Sequence, residues 1–370
     1  MGALTNVYVA ATSGNDGTGD GSSGAPYKTL QYLLNNHTKD TTNGNFINLS
    51  GTDVLSASLS LATWGAGSAT ARQVFRTWVG GPDGDGVIDG NAGNFVIFAG
   101  GVNYITFYDL ELTNTGTASI LTNLQFGEVI NCIVHKSGTT GIHCGGGTNF
   151  ISNNYIYDCA VVGVQGATSG VQIISNYFAN GPTNDFSSSF GAILTQANQC
   201  SIYRNILSID SASLGIVIAD GVLGTLVKNN SILSASGTGK GIVCGNASLS
   251  YILNNLVEGF SGVGGVGISA TGDLLMSSNN ALYNNTTQYS ITDQTVLGDD
   301  NETLGATPFA KSGSDTFANR AVYFAPVDTG NVQGGAYPTE LRLDKGAVQH
   351  ADPAAGGLIR HPGMTGGLNG

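Results

Sequence analysis

Charge is scarce in this chain. Of its 370 residues only 10% are Asp, Glu, Lys or Arg, and 13 Lys and Arg stand against 25 Asp and Glu, a formal net charge of −12. A surface so short of cations cannot neutralise a run of phosphates, so nucleic acid and anionic lipid are excluded as partners. Long hydrophobic runs are also missing: nowhere do 18 apolar residues follow one another, and no membrane helix is expected. The opening residues Met1–Asn6 lack a basic segment followed by an apolar one, so no secretory signal is legible. Either a signal has been trimmed, or the protein leaves its cell another way, on a virion or by lysis. The five cysteines (Cys132, Cys144, Cys159, Cys200, Cys244) are odd in number and show no CxxC or Cys/His zinc spacing. Their apolar neighbours predict buried free thiols.

Glycine, by contrast, is abundant: 56 residues, about 15% against a usual ~7%. The glycines have no three-residue period, which excludes collagen. Low charge and 41% hydrophobic residues exclude disorder. Many tight turns between short buried strands remain.

A repeat of about 25 residues supplies those turns. Asparagine recurs at Asn131, Asn154, Asn176, Asn205, Asn230, Asn255 and Asn280, in steps of 23, 22, 29, 25, 25 and 25. Two residues after each comes an apolar residue, from Ile133 to Leu282. A second column is Gly followed by a β-branched residue: Gly141-Ile142, Gly163-Val164, Gly215-Ile216, Gly241-Ile242 and Gly267-Ile268, with Gly191-Ala192-Ile193 shifted by one. Strands this short are unstable alone. Stacked unit upon unit they pair in parallel, about 4.8 Å apart, around a continuous apolar interior. Asparagine fits a corner because it tolerates the left-handed conformation and can bond its counterpart one coil away. Glycine fits a second corner that needs positive φ or close approach. The pattern is that of a parallel β-helix.

Extending it outward gives about 10–11 coils, a rod on the order of 50 Å. Leu110 takes the ladder position in one upstream turn, Gln73–Trp78 with Gly86–Gly90 forms another, and Phe46 through Leu61 the first. Tyr289–Thr292 begins the last. The expected organisation is an N-terminal segment with a cap helix over 1–45, the β-helix over 46–297, an irregular C-terminal cap over 298–349 and a Gly/Pro-rich tail over 350–370. The cap helix is placed near Thr29–Leu34.

The chain resembles the right-handed parallel β-helix proteins of the pectate-lyase-like superfamily, of the secreted bacterial or phage-associated type. Val7-Tyr8-Val9, Gly14-Asn15-Asp16-Gly17 and Ala25-Pro26-Tyr27-Lys28-Thr29-Leu30 are similar to that family's opening segment. The coils carry its asparagine ladder, and Val327-Asp328-Thr329-Gly330 with Leu343-Asp344-Lys345-Gly346-Ala347-Val348 resemble its closing motif. The resemblance implies an all-β, single-stranded, right-handed helix and a polysaccharide ligand outside the cell or on a virion. It leaves the chemistry open among lyases, hydrolases, epimerases and non-catalytic spikes, the last commonly trimeric.

A lyase or epimerase needs a base near the sugar and a group that offsets the uronate carboxylate, often Ca²⁺. The outward column of the Gly-Ile strands is expected to run Ile97, Leu121, His143, Gln165, Leu194, Val217, Val243, Ser269. The corner four residues past the ladder is expected to run Asn114, His135, Asp158, Asn180, Ser234, Gly259, Asn284, with Lys136 beside His135 and Asp210 one place off register. On that register His135, Lys136, His143 and Asp158 converge as a catalytic group, and Gln165 joins Tyr155, Tyr157 and Tyr177 as a sugar-binding platform. Residues 184–190 form a loop placed to wall the groove. Against this, polar corner residues are usually solvated turns, and outward tyrosines are good strand formers. No paired carboxylates match a hydrolase. Asn15–Gly21 resembles a weak calcium loop through Asp16 and Asp20, but Thr18 and Tyr27 stand where ligands belong.

Overall fold

The computed structural model describes residues 4–311 except 62–63, 65–70, 92–96, 99–103, 114–115, 182–184, 210–211, 236, 247, 273–275, 292–300 and 310. The C-terminal resemblance motifs, the tail and most of the expected C-terminal cap lie outside the described residues, as do Asn114 and Asp210.

Each coil contributes up to three short strands, and all the inter-coil pairings are parallel. One coil reads Phe150–Ser152, Tyr155–Tyr157 and Val162–Gly166, and its strands pair with Gln172–Ile174, Tyr177–Ala179 and Ile193–Thr195 of the next. The first two faces merge into one 21-stranded sheet through Asn45–Val54, and the third face has 9 strands. Asn45–Val54 serves both faces because Gly51, at φ 76, bends it midway. The strands Thr5–Ala10, Asn45–Val54 and Gln73–Thr77 open the first face before any described strand of the third. About nine turns result, fewer than the 10–11 expected, with nine strands on the third face among the described residues.

Inward side chains stack in register along the axis. Ile142, Val164, Ile193, Ile216, Ile242 and Ile268 form one such column, each with no exposure. Each such burial contributes roughly 1.5–3 kcal/mol. All five cysteines are free and buried, and burial pushes the Cys200 thiol up to about 11. The helix Leu30–Asn36 starts at Thr29, whose hydroxyl accepts from the Tyr32 N–H, and buries Leu30, Leu33 and Leu34.

The ladder differs from its expected register at both ends. Asn154, Asn176, Asn205, Asn230, Asn255, Asn280 and Asn301 form a chain of side-chain amides, each Nδ2 donating to the next Oδ1 at 2.9–3.0 Å. Asn131 is not a member. It is exposed at φ 57, and Cys132 takes the ladder place, its N–H donating to Asn154 Oδ1. The left-handed corner and the amide ladder are therefore adjacent positions. Asn153, Ser175, Arg204, Asn229, Asn254 and Asn279 hold the first, at φ 55–58.

The glycine column serves close approach alone, since none of Gly141, Gly163, Gly215, Gly241 and Gly267 has positive φ. A Cβ on Gly215 would lie 2.3 Å from the Gly241 carbonyl oxygen. Ile193 stays in register, with Ala192 at the glycine position.

Candidate functional site

The second face carries a polar and aromatic strip on three successive coils. Its strands are Glu111–Thr113, Ile133–His135 and Tyr155–Tyr157, paired Glu111–Ile133–Tyr155 and Thr113–His135–Tyr157. The inward residues Leu112, Val134 and Ile156 anchor these strands in the core, so alternation aims their neighbours outward. His135 therefore pairs with Tyr157 and not with Asp158 as the sequence register predicted. The slip traces to counting Asn131, in place of Cys132, as the ladder residue.

His135 is 6% exposed and stacks on Tyr157 with ring centroids 4.7 Å apart and 6° between planes. Its Nε2 lies 2.9 Å from Glu111 Oε1. A carboxylate only accepts, so Nε2 carries the proton. The other ring nitrogen, Nδ1, lies 3.4 Å from the Thr113 hydroxyl. Glu111 and Thr113 were missed in the sequence, although counting from Leu110 as the ladder residue would have placed both.

The tyrosines come together as expected, but their ring faces meet one another. Tyr157 lies between His135 and Tyr155, the latter 4.4 Å away, and Tyr155 meets Tyr177 at 5.4 Å. Tyr177 is 2% exposed. The rings thus pack on one another and leave little open face for stacking. Burial first, then Tyr155, Glu111 and Asp158, pushes the Tyr157 hydroxyl up to about 12, so it is a proton donor at neutral pH.

Lys136 and Asp158 follow His135 and Tyr157 in the same corner column, both with left-handed backbone (φ 59 and 55). Lys136 is exposed and Asp158 is fully buried. His143 sits elsewhere, on the strand Thr140–Gly146 of the third face, paired with Gln165. The structure does not bring it beside His135. Its Nδ1 accepts the Asn123 N–H at 3.2 Å, and burial holds the ring below the usual histidine range. Gln165 donates to Gln196.

One position given to the outward column belongs to the inward register: Leu121 pairs with Ile142 and is fully buried. A register shift in Leu121–Gln125 sets Thr122 and Asn123 between the inward Leu121 and Leu124, so both face His143's place. The long repeat's loop, described from Asp185, turns back onto the rod. Phe186 is 2% exposed beside Phe178, and Ser187 N–H bonds the Val161 carbonyl.

At the N-terminus Asp16 accepts from the Lys28 and Thr29 N–H groups and the Thr29 hydroxyl, and Asp20 from the Ser22 N–H. Both carboxylates are engaged in shaping turns. Among the described residues no cluster of three or more His, Cys, Asp or Glu is set to hold a metal.

No protein-family model and no curated protein sequence matches the chain. Solved structures do. The pectate lyase Pel9A superposes with a TM-score of 0.55 at 14% identity, covering 95% of this chain and 98% of its own. The complex of XylC with xylose gives 0.54 at 12% identity, covering 78% and 70%. At such identities the likeness speaks for the fold. This chain has the pectate-lyase-like, right-handed parallel β-helix fold.

Proposed function

We propose that the protein binds an extracellular polysaccharide of the uronate type along the outside of its rod. The observation that carries this reading is the strip of Glu111, His135, Tyr155 and Tyr157. Strand pairing holds it on three neighbouring coils, with the Glu111 side chain 37% exposed. Polar groups held at a fixed spacing suit a polymer with hydroxyls at a fixed spacing, because little ordering entropy is lost on binding. Carbohydrate-related neighbours of the same fold, a pectate lyase and a protein solved with xylose, support a glycan over other polymers.

A histidine-based elimination or epimerisation fits the geometry less well than binding alone. A base needs a free lone pair within reach of the substrate. His135 has both ring nitrogens engaged, by Glu111 and Thr113, and His143 turns its Nδ1 to the Asn123 N–H. That favours the second reading, a non-catalytic spike or adhesive rod. One experiment covers both: incubation with a panel of uronate and neutral polysaccharides, scored for depletion of the polymer and for absorbance at about 235 nm from new unsaturated ends. Depletion without absorbance is expected. Absorbance that survives His135→Ala would place elimination elsewhere on the rod, and no depletion across the panel would sink the glycan reading.

A further inference from the structure

Among the described cations two are spent on carboxylates: Arg72 pairs with Glu128 at 3.1 Å, and Lys311 with the buried Glu258. Arg76 is different. It is half-buried on the first face and forms no ion pair with any described carboxylate. Its guanidinium lies 3.8 Å over the Phe46 ring, its Nε donates to Asn48 Oδ1 at 2.8 Å, and one terminal nitrogen reaches Asn6 at 3.4 Å. Asn48 is fixed in turn by the Val7 and Phe46 carbonyls and by Asn6. These contacts hold the plane of the guanidinium while Nη1 keeps no partner among the described residues. Burying a cation beside neutral amides costs free energy, which an arriving anion would recover.

The guanidinium opens into a cleft of about 300 Å³ whose walls include Tyr8, Trp78, Val79, Tyr108 and Asp109. Tyr8 and Trp78 pack at 4.7 Å, and Tyr108 is 41% exposed. Asp109 makes no ion pair with Arg76. A preorganised cation at the floor and aromatic surface on the walls match a small ring that has an apolar face and one acidic substituent.

We infer that the Arg76 cleft is a binding site for an anionic sugar ring, taking its carboxylate or sulfate on Nη1 and its apolar face against Trp78 and Tyr108. The cleft lies on a different face from the Glu111–Tyr157 strip and does not depend on it. A carboxylated and a sulfated sugar share this chemistry.

Calorimetry on the full chain with trigalacturonate, a 6-O-sulfated galactose trisaccharide and neutral galactotriose separates them. At least one anionic probe is expected to bind ten-fold or more tighter than the neutral one. Arg76→Gln should weaken it about 10–100-fold, the range for one charge-assisted contact. Because Arg76 also packs on Phe46, Tyr108→Ala is the second variant, in a side chain outside the core. It should weaken the same probe several-fold with an unchanged melting temperature. Equal affinity for all three probes would overturn the inference, as would no anionic binding at millimolar concentration. So would anionic binding that persists in folded Arg76→Gln. If that persistent binding is lost in Tyr155→Ala, the strip reading survives alone. Loss in Arg76→Gln but not Tyr155→Ala supports the cleft whatever becomes of the strip.

Discussion

The ladder asparagines show how one residue type is selected by hydrogen-bond accounting. Asn230 is fully buried. Its Oδ1 accepts from the Asn205 N–H and Nδ2, and its Nδ2 donates to the Ile202 carbonyl and to Asn255 Oδ1. Asn230→Ala would take the side-chain partner from the Asn205 N–H and the Ile202 carbonyl, and one bond each from Asn205 Nδ2 and Asn255 Oδ1, which keep others, with a loss of roughly 3–5 kcal/mol expected in urea unfolding. Cys132 gives the converse test. It stands at the ladder's upstream end, where its thiol makes only a weak contact to the Ile130 carbonyl. Cys132→Asn should extend the amide chain to Asn154 and raise stability by about 1 kcal/mol; a lower unfolding midpoint would show that the ladder is not what selects the residue. The same site explains what was illegible in the sequence. Both the left-handed corner and the ladder accept asparagine, so the doublets Asn153-Asn154 and Asn229-Asn230 read correctly while Asn131-Cys132 misled by one place. His143 adds a pH effect. Burial lowers its folded pKa beneath the ordinary 6.5, so below 6.5 the unfolded chain takes up a proton that the folded ring refuses. Stability therefore falls as pH drops through 6.5, and above it the penalty is absent. His143→Gln should flatten the change in urea midpoint between pH 7 and pH 5. Part of the slope should remain, because His37 is lowered by burial too. An unchanged slope would exclude His143 as a contributor.

At the scale of strands and segments, two contacts decide how tightly the coils close. The glycine column lets neighbouring backbones approach: at Gly215 a Cβ would strike the Gly241 carbonyl, and at Gly241 it would meet Val257 at 2.4 Å. Ala192 is accommodated in the same column, next to Gly191 at φ 75. Gly215→Ala should therefore cost about 1–3 kcal/mol, an overpacking penalty, while Ala192→Gly costs less than about 1 kcal/mol. Equal effects in the two variants would mean that approach is not the constraint. The second contact is the segment from Asn301 to Lys311. Glu302–Thr303 adds a strand to the second face, and Leu304 and Phe309 cover an apolar cluster outside the tube with Leu256 and Ala281. Lys311 and Thr307 both bond the carboxylate of Glu258, which is 2% exposed. Lys311→Met leaves that carboxylate short of a partner, so amide exchange over 302–309 should quicken by the equivalent of about 1–3 kcal/mol. Glu258→Leu with Lys311→Met should recover most of it. If the double variant exchanges as fast as the single one, the ion pair is not the clasp.

Across the whole molecule, what the sequence discloses follows from what the coil repeats. Every coil must turn the same corners and fill the same interior, so the ladder and the glycine column recur visibly and the fold can be read. Nothing forces outward side chains to recur. Glu111 and Arg76 carry no period, and the irregularity at Thr122-Asn123 displaces the outward register with no mark in the sequence. Charge is a whole-molecule property that no register error touches, and it constrains how an anionic ligand arrives. With 25 acidic and 13 basic residues the rod repels polyanions at long range, even if Arg76 attracts one at contact. Fields reach about 30 Å at 0.01 M salt but only about 8 Å at 0.15 M. Adding salt over that range should therefore raise the association rate of an anionic oligosaccharide, by roughly 3–10-fold, while leaving that of a neutral one unchanged. Stopped-flow fluorescence of Trp78, in the cleft wall, would follow both. A rate that falls with salt would mean that local cations steer the ligand and that net charge does not govern its approach.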